Sequence, residues 1–166
     1  MKLSDEINQI GTIFIDTAPI IYYIEAHPRF GPLAKEVIDA CQYRVLIAYS
    51  SVIILTEVLP KPVQEGREDL ADRFAEFLIR GKNFNLIAIS TDIAEKAGRL
   101  RGKYPFLKAM DAIQLAAAIH KNVDAFLTND KSLKQVKELK ILMLSDYESE
   151  EEDLCLKKKL FVQQHN

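Results

Sequence analysis

The sequence predicts an α/β domain with a mostly parallel sheet of four to five strands, and two observations carry this prediction. Five short runs along the chain are apolar almost throughout, rather than alternating between apolar and polar residues. Runs of this kind are typical of strands that helices cover on both faces. The segments between them carry apolar residues at intervals of three or four, which indicates helices. Strands that alternate with helices favour a parallel sheet.

The first half of the chain supplies two predicted strands and four predicted helices. The strands are the two apolar runs, and the helices follow the spacing of apolar residues after each run. Ser51 is a candidate cap for the first helix after the second run. In chain order these elements are the strand Thr12–Ile15, the helices Ile20–Glu25 and Leu33–Gln42, the strand Val45–Ala48, and the helices Ser51–Leu59 and Leu70–Ile79.

The second half supplies three predicted strands and two predicted helices. Asp92 and Glu95 have the spacing of a capping box at the start of one helix. Gly81, Gly102 and Pro105 mark the ends of helices. In chain order these elements are the strand Leu86–Ile89, the helices Ile93–Arg101 and Ala109–His120, and the strands Ala125–Leu127 and Ile141–Leu144.

Length and composition predict one globular domain. The chain has 166 residues, enough for an apolar core that needs no disulfide or structural metal. The hydrophobic fraction of 48% and the charged fraction of 28% exclude a collagen, a disordered chain and a disulfide scaffold. We expect residues 1–145 to form the domain. We expect residues 146–166 to form a charged tail, whose apolar groups around Leu154 and Leu160 suit a short helix.

Charge is distributed unevenly along the chain. The formal net charge is −2, so no overall positive field attracts nucleic acid. Residues 146–166 hold six acidic and three basic residues, which leaves 19 basic and 18 acidic residues in 1–145. Any basic surface that binds nucleic acid must therefore be local.

The compartment is predicted from the cysteines and from the absence of long apolar segments. Cys41 and Cys155 are far apart and join no cluster of cysteine and histidine, which favours a reducing compartment and argues against zinc. The first ten residues carry acidic side chains and lack the apolar run of a signal peptide. The most apolar window, Val45–Leu59, is shorter than the roughly 20 residues that span a bilayer. We expect a cytoplasmic protein without a membrane segment.

Three acidic residues fall at the same edge of the predicted sheet. Asp16 directly follows the first strand, and Asp130 follows the strand Ala125–Leu127 by a few residues. Asp111 opens the helix that leads into that strand, and such a helix starts at the carboxyl edge of the sheet. Ligands of open α/β sheets bind outside this edge. We therefore expect the three carboxylates to face a common site.

Glu57 is a fourth candidate, because it lies inside an apolar helix where an unpaired carboxylate is costly to bury. Several carboxylates close together cannot all stay ionised without a cation. Oxygen ligands of this kind suit Mg²⁺ or Mn²⁺. Such an ion stabilises the charge that develops on a phosphodiester and lowers the pKa of the attacking water. The four acids therefore indicate metal-assisted phosphodiester hydrolysis.

Each acid also has a structural explanation. Asp16 and Asp130 are both placed to cap a following helix. Asp111 in a first helical turn interacts favourably with the helix dipole. Glu57 is harder to explain by capping, but it could pair with a lysine or an arginine. The functional reading therefore depends on the four acids together.

These segments resemble PIN-domain ribonucleases, and most strongly the VapC-type toxins of prokaryotic toxin–antitoxin pairs. The resemblance covers about residues 12–145, and the acids occur in the order of the family. Four parts of the sequence carry the resemblance, and those that contain Asp111 and Asp130 are the most specific. They are Phe14-Ile15-Asp16-Thr17, Glu57 in its apolar helix, Asp111-Ala112-Ile113-Gln114-Leu115-Ala116 and Leu127-Thr128-Asn129-Asp130.

The resemblance implies a three-layer, Rossmann-like PIN fold and an endoribonuclease that depends on Mg²⁺ or Mn²⁺. Asp16, Glu57, Asp111 and Asp130 would be its metal ligands and catalytic residues, and Thr128 would support the acidic pocket. The resemblance also implies a protein antitoxin that blocks the site, and often a homodimer. Residues 146–166 extend beyond the usual compact domain. Many PIN proteins act in other RNA processing or in DNA repair. A nuclease of RNA processing that is not part of a toxin–antitoxin pair is therefore an alternative function.

Contact with RNA needs cations near the acidic pocket, because the acids alone repel phosphate. A cluster of four basic side chains and one tyrosine precedes Asp111. The basic side chains could bind phosphates while the tyrosine stacks on a base. A solvated loop and helix end would explain the same residues. The candidates are Arg99, Arg101, Lys103, Tyr104 and Lys108.

Three other classes of function would require different features of the sequence. A phosphatase with an aspartyl nucleophile requires a second Asp two residues after the first, where Ala18 stands. A phospho-receiver module requires an acceptor Asp at a middle strand end, and the third predicted strand leads instead into a helix cap. A non-catalytic binding scaffold is the main alternative, in which the four acids serve only as caps and ion-pair partners.

Overall fold

The computed structural model describes residues 2–148, so the predicted helix of the tail lies outside the described residues. The strands are β1 (Thr12–Ile15), β2 (Ile47–Ser51), β3 (Phe84–Ile87), β4 (Ala125–Thr128) and β5 (Ile141–Met143). The helices are α1 (Leu3–Ile7), α2 (Thr17–Ile24), α3 (Gly31–Gln42), α4 (Ile53–Val58), α5 (Pro60–Gln64), α6 (Glu68–Arg80), α7 (Thr91–Lys103) and α8 (Ala109–Lys121). Two short 3₁₀ helices span Lys131–Gln135 and Leu144–Asp146.

The five strands form one parallel sheet in the order β3-β2-β1-β4-β5, which confirms the predicted fold class. The chain builds outward from β1 to β3 and then crosses to the other side of β1 to add β4 and β5. The order therefore reverses between β1 and β4. In open α/β sheets a ligand site lies at this reversal, outside the carboxyl ends of the strands.

Alternate residues of the strands face two separate cores. Ile13 and Ile15 of β1 belong to the core shared with α2, α3, α4 and α6. Phe14 points to the opposite face and belongs to the core shared with α7 and α8. There its ring stacks on Phe126 of β4, with 5.1 Å between ring centroids. Both faces of the sheet are therefore covered, as the apolar runs predicted.

The second strand was predicted two residues too early. Val45 lies before β2 and is 52% exposed, whereas Ser50 and Ser51 belong to the strand and are fully buried. Ser51 therefore ends a strand and does not begin a helix. Its hydroxyl still accepts the backbone N–H of Ile53 in the first turn of α4, at 3.3 Å.

Other boundaries also differ from the prediction. The third strand begins at Phe84, two residues early, and the expected helix over Ser51–Leu59 ends at Val58, so that α5 begins separately at Pro60. The capping box was wrong: Ser90 is the cap of α7, and its hydroxyl accepts the N–H of Ile93 at 3.3 Å. Within residues 2–148, each helix is too short or too polar to span a bilayer.

Candidate functional site

A row of polar residues crosses the carboxyl edge of the sheet. Phe14 is paired with Tyr49 and with Phe126, so the same register places Asp16 level with Ser51 on one side and Thr128 on the other. The Thr128 hydroxyl donates a hydrogen bond to Oδ2 of Asp16 at 2.7 Å. The row therefore begins the polar site at the point where the strand order reverses.

Asp16 is held by two hydrogen bonds at the end of β1. Its Oδ1 accepts the backbone N–H of Thr17 at 2.8 Å, as in the predicted helix cap, and Oδ2 accepts the hydroxyl of Thr128. Burial is the main cause that raises the pKa of Asp16 to about 6; the nearby charges of Asp111 and Glu57 act in the same direction, and the two hydrogen bonds act against them. The protein therefore makes ionisation of this carboxyl group less favourable than in the unfolded chain.

Glu57 reaches the same site from α4. Its Oε2 accepts a hydrogen bond from the hydroxyl of Thr17, the residue directly after Asp16. The charge of Glu57 also contributes to raising the pKa values of Asp16 and Asp111. The structure therefore brings Glu57 of α4 close enough to the two aspartates for its charge to act on both.

Asp111 lies in the first turn of α8, as predicted, and is partly buried. Burial raises its pKa, and the charge of Asp130 acts in the same direction. The ammonium group of Lys108, at the start of the helix, lowers the pKa of Asp111 and opposes these effects. Lys108 is thus the basic residue of the predicted cluster whose charge acts on the acidic site.

Asp130 has a structural role that the sequence also allowed. Its Oδ1 accepts the backbone N–H of Ser132 at 2.9 Å and the Ser132 hydroxyl at 2.8 Å, which caps the first 3₁₀ helix. Its backbone N–H donates to the Thr128 hydroxyl at 3.1 Å. The charge of Asp130 still raises the pKa of Asp111, so the carboxylate combines capping with a place in the acidic site.

The donor chemistry of the four carboxylates fits a divalent cation. None of them takes part in an ion pair within residues 2–148. Hard oxygen ligands that make no ion pair within the described residues fit Mg²⁺ or Mn²⁺. Within the same residues, no three Asp, Glu, His or Cys side chains are gathered closely enough to form a ready-made metal cage. The oxygen ligands suit the ion, but within the described residues they are not already close enough together to surround it.

The other predicted RNA-binding residues make contacts within the protein. Arg99 pairs with Glu95 at 2.8 Å. Lys103 pairs with Glu138 at 2.5 Å, and the Tyr104 hydroxyl donates to the same carboxylate at 2.9 Å. Nε of Arg101 donates to the carbonyl of Leu107 at 3.4 Å. These bonds favour the structural explanation of the four residues, whereas the charge of Lys108 acts on Asp111.

Sequence reasoning missed three polar residues at the site. Thr17 holds Glu57, and Ser51 donates to Gln114 on α8. Ser51 and Gln114 are 0% and 2% exposed, respectively. The available signal was a polar residue in an otherwise apolar stretch, as for Gln114 among Ala112, Ile113, Leu115 and Ala116.

A second concave surface lies at the opposite edge of the sheet. It is a groove of about 400 Å³, lined mainly by the ends of α3 and α6 and the start of β3, including Cys41, Phe77 and Phe84. Burial raises the pKa of the Cys41 thiol to about 12, so this group is not a nucleophile. Among the described residues, no acidic residue lines this groove, so the carboxyl edge of the sheet is the better candidate for a catalytic site.

Comparison with protein families decides the classification. The sequence matches the PIN domain family over residues 13–139, a span that contains all four carboxylates. The chain belongs to the PIN-domain family. This membership agrees with the parallel sheet and the acidic site, and it supports a nuclease. A search of curated proteins found no match.

Solved structures show the same PIN fold. A toxin–antitoxin complex from Klebsiella pneumoniae is 26% identical, with a TM-score of 0.59 over 80% of this chain and 97% of that chain. DNA-bound VapBC from Salmonella typhimurium is 14% identical, with a TM-score of 0.65 over 81% and 99% of the two chains. VapC20 from Mycobacterium tuberculosis, a toxin that cleaves the sarcin–ricin loop, is 16% identical, with a TM-score of 0.60 over 77% and 98%. The two lower identities show the fold alone.

Proposed function

We propose that this PIN protein is a divalent-metal-dependent endoribonuclease and the toxin of a toxin–antitoxin pair. One observation carries the catalytic part. Asp16, Glu57, Asp111 and Asp130 come from separate segments, and their charges act on the pKa values of Asp16 and Asp111. A fold that gathers acids without ion-pair partners loses stability, so a positively charged ligand explains their arrangement better than stability does.

The residues around the carboxylates orient them. Thr128 and the backbone of Thr17 fix the two oxygens of Asp16, and the Thr17 hydroxyl holds Glu57. Asp16, Glu57 and Asp111 are the proposed ligands of Mg²⁺ or Mn²⁺, with Asp130 beside them. When bound, such an ion supplies positive charge for the phosphodiester and makes water a better nucleophile near neutral pH.

RNA is the proposed substrate, and Lys108 is the proposed phosphate contact. The Lys108 ammonium group acts on Asp111 and therefore lies close enough to place a backbone phosphate beside the acids. The other four residues of the cluster are proposed only as secondary RNA contacts around the site, because each already makes a contact within the protein. They are Arg99, Arg101, Lys103 and Tyr104. A ribonuclease of this kind acts where cellular RNA is, so we place the protein in the cytoplasm.

A protein antitoxin is the proposed partner. The support is the 26% identical chain from a toxin–antitoxin complex of Klebsiella pneumoniae, which this chain matches over 97% of its length. A homodimer is proposed from the family resemblance. Expression of the chain in bacteria should arrest growth, and co-expression with the product of a neighbouring reading frame should relieve the arrest. Normal growth with active protein present would favour an RNA-processing nuclease.

The catalytic proposal is tested by an aspartate exchange with a matched control. Asp111→Asn should lower Mn²⁺-dependent RNA cleavage at least a hundredfold, because it removes one charged ligand while keeping the shape of the side chain. The control is Asp92→Asn, since Asp92 is an exposed aspartate in the first turn of α7. Cleavage of structured and single-stranded RNA is measured with Mg²⁺, Mn²⁺ or EDTA. Full activity of Asp111→Asn, or activity in EDTA, would contradict the proposal.

A non-catalytic scaffold is the second candidate, favoured by the capping role of Asp130 and by the lack of a ready-made metal cage within residues 2–148. The two candidates differ in metal binding. A nuclease should bind Mn²⁺ in calorimetric titration and lose that binding in Asp16→Asn. A scaffold should give no binding heat in either protein.

A further inference from the structure

A buried hydrogen bond joins two of the elements that carry the carboxylates. The hydroxyl of Ser51, the last residue of β2, donates to Oε1 of Gln114 on α8 at 2.6 Å. The same Ser51 oxygen accepts the backbone N–H of Ile53 in α4 at 3.3 Å. One hydroxyl group therefore connects the helix that carries Asp111 to the helix that carries Glu57.

The Ser51–Gln114 link lies at the floor of the acidic site. The β1–β2 register places Ser51 level with Asp16. Gln114 follows Asp111 by about one turn on the same face of α8. Helical side chains lean toward the N-terminus of their helix, so the amide of Gln114 extends toward the turn of Asp111. The link is thus placed where a small shift of α8 changes the separation of the carboxylates.

Stability alone does not explain an amide at this position. Gln114 is 2% exposed, and its Nε2 has no hydrogen-bond partner within residues 2–148. A buried donor without a partner destabilises a fold, and an apolar side chain of similar size would avoid that loss. The acceptor side of the same amide makes the short bond to Ser51. The contribution of Gln114 is therefore to hold α8 in a fixed position relative to β2.

We propose that Gln114 and Ser51 are positioning residues of the metal site, which set the separation of Asp111 from Glu57. The inference rests on the proposed function, because it concerns the same carboxylates. Neither residue touches the substrate or the ion. Residues that orient metal ligands typically change metal affinity or activity by about 10–100-fold when they are replaced.

The test is the double variant Ser51→Ala/Gln114→Met in the full chain. It removes both partners of the Ser51–Gln114 hydrogen bond together with the unpaired Nε2 of Gln114. The removal of that unpaired donor offsets the loss of the longer bond, at 3.3 Å, from the N–H of Ile53 to Ser51. We expect the melting temperature of the metal-free protein to stay the same or rise. We expect Mn²⁺ binding, measured by calorimetric titration, to weaken by about tenfold or more. RNA cleavage should fall in parallel.

Ser50→Ala is the matched control. Ser50 is the neighbouring residue of β2, is equally buried, and has a hydroxyl group without a partner within residues 2–148. Its side chain points to the opposite face of the sheet, away from α8. We expect this variant to bind Mn²⁺ with the affinity of the wild type.

Three outcomes would overturn the inference. In the first, the double variant binds Mn²⁺ as tightly as the wild type. In the second, its affinity and its melting temperature fall together, which is the sign of a structural role only. In the third, the wild type itself binds no Mn²⁺, and then the proposed function fails as well. Wild-type binding therefore separates failure of the positioning role from failure of the function.

Discussion

Asp16 illustrates how a single residue of the site responds to its surroundings. Burial raises its pKa to about 6, from an ordinary value of 3.8. The folded protein therefore holds a proton on this group at pH values where the unfolded chain has released it. Since the folded state binds more protons, the contribution of Asp16 to stability must fall as the pH rises through this interval.

A pH titration of stability tests this at the residue scale. In EDTA, the wild type should lose about 2–3 kcal/mol relative to Asp16→Asn between pH 4 and pH 7, at about 1.4 kcal/mol per pKa unit. The loss should level off above about pH 7, because Asp16 is then ionised in both states. Urea unfolding of both proteins at several pH values measures it. A difference between them that does not change with pH would show that Asp16 titrates normally.

The residues of the site differ in how far the sequence could predict them. Strand ends and helix starts share one edge of the sheet, and this rule predicted the common position of Asp16, Asp111 and Asp130. The structure brings them together. Thr17, Ser51 and Gln114 could not be predicted, because their role depends on which side chain faces them across the sheet. Periodicity gives the buried face of a helix but not the partner of a buried amide.

At the scale of elements, Asp124 connects the amino ends of the two central strands. It directly precedes β4, and its Oδ2 accepts the N–H of Gly11 at 2.9 Å, the N–H of Thr12 at 2.8 Å and the Thr12 hydroxyl at 2.9 Å. These bonds lower the pKa of Asp124. The carboxylate therefore stabilises the β1–β4 pairing while it is ionised.

Asp124→Ala should lower the free energy of unfolding by about 1–3 kcal/mol at pH 7, because it removes hydrogen bonds to a charged acceptor. The effect is present above the ordinary pKa of an aspartate and lost as the pH falls through the lowered pKa of the folded state. Chemical unfolding at pH 7 and in acid measures both. The control is Asp72→Ala, an exposed aspartate of α6. Equal effects of the two exchanges would contradict this role.

The order of the elements was predictable, but two helices were missed and the ends of the others were less accurate. Within residues 2–148, apolar spacing predicted the five strands and six of the eight helices, but not α1 and α5. The start of β2 was misplaced because Val45 and Leu46 look like strand residues, whereas the strand continues into Ser50 and Ser51. Both serines are buried, but only Ser51 contacts the helices of the site, and composition rules place serines outside the core.

At the scale of the whole molecule, the topology explains why an acidic site forms at all. The strand order reverses between β1 and β4, so the connections that leave the carboxyl ends of these two adjacent strands run in opposite directions. Asp16 and Thr128 stand on either side of this gap and are joined by a hydrogen bond. Acids from α4 and α8 approach the same gap, because both helices begin near that edge. The fold thus predicts a site before its chemistry is known.

A second feature of the whole molecule is the residue at which the folded domain ends. The sequence predicts a boundary after residue 145, yet Tyr147 packs against the core shared by α2 and α3. Burial raises the pKa of the Tyr147 hydroxyl to about 12. Its neighbour Asp146 pairs with Lys134 at 2.7 Å. These contacts indicate that the packed structure continues at least to Tyr147.

Tyr147→Ala in the full chain tests this extension. It should lower the free energy of unfolding by about 1–2 kcal/mol, because a half-buried aromatic side chain is removed from the core. Tyr43→Ala is the matched control, since the Tyr43 side chain is 79% exposed and should contribute less than about 0.5 kcal/mol. Urea unfolding measures both variants. If Tyr147→Ala were as mild as the control, the domain would end at residue 145, as the sequence predicts, and Tyr147 would belong to the tail.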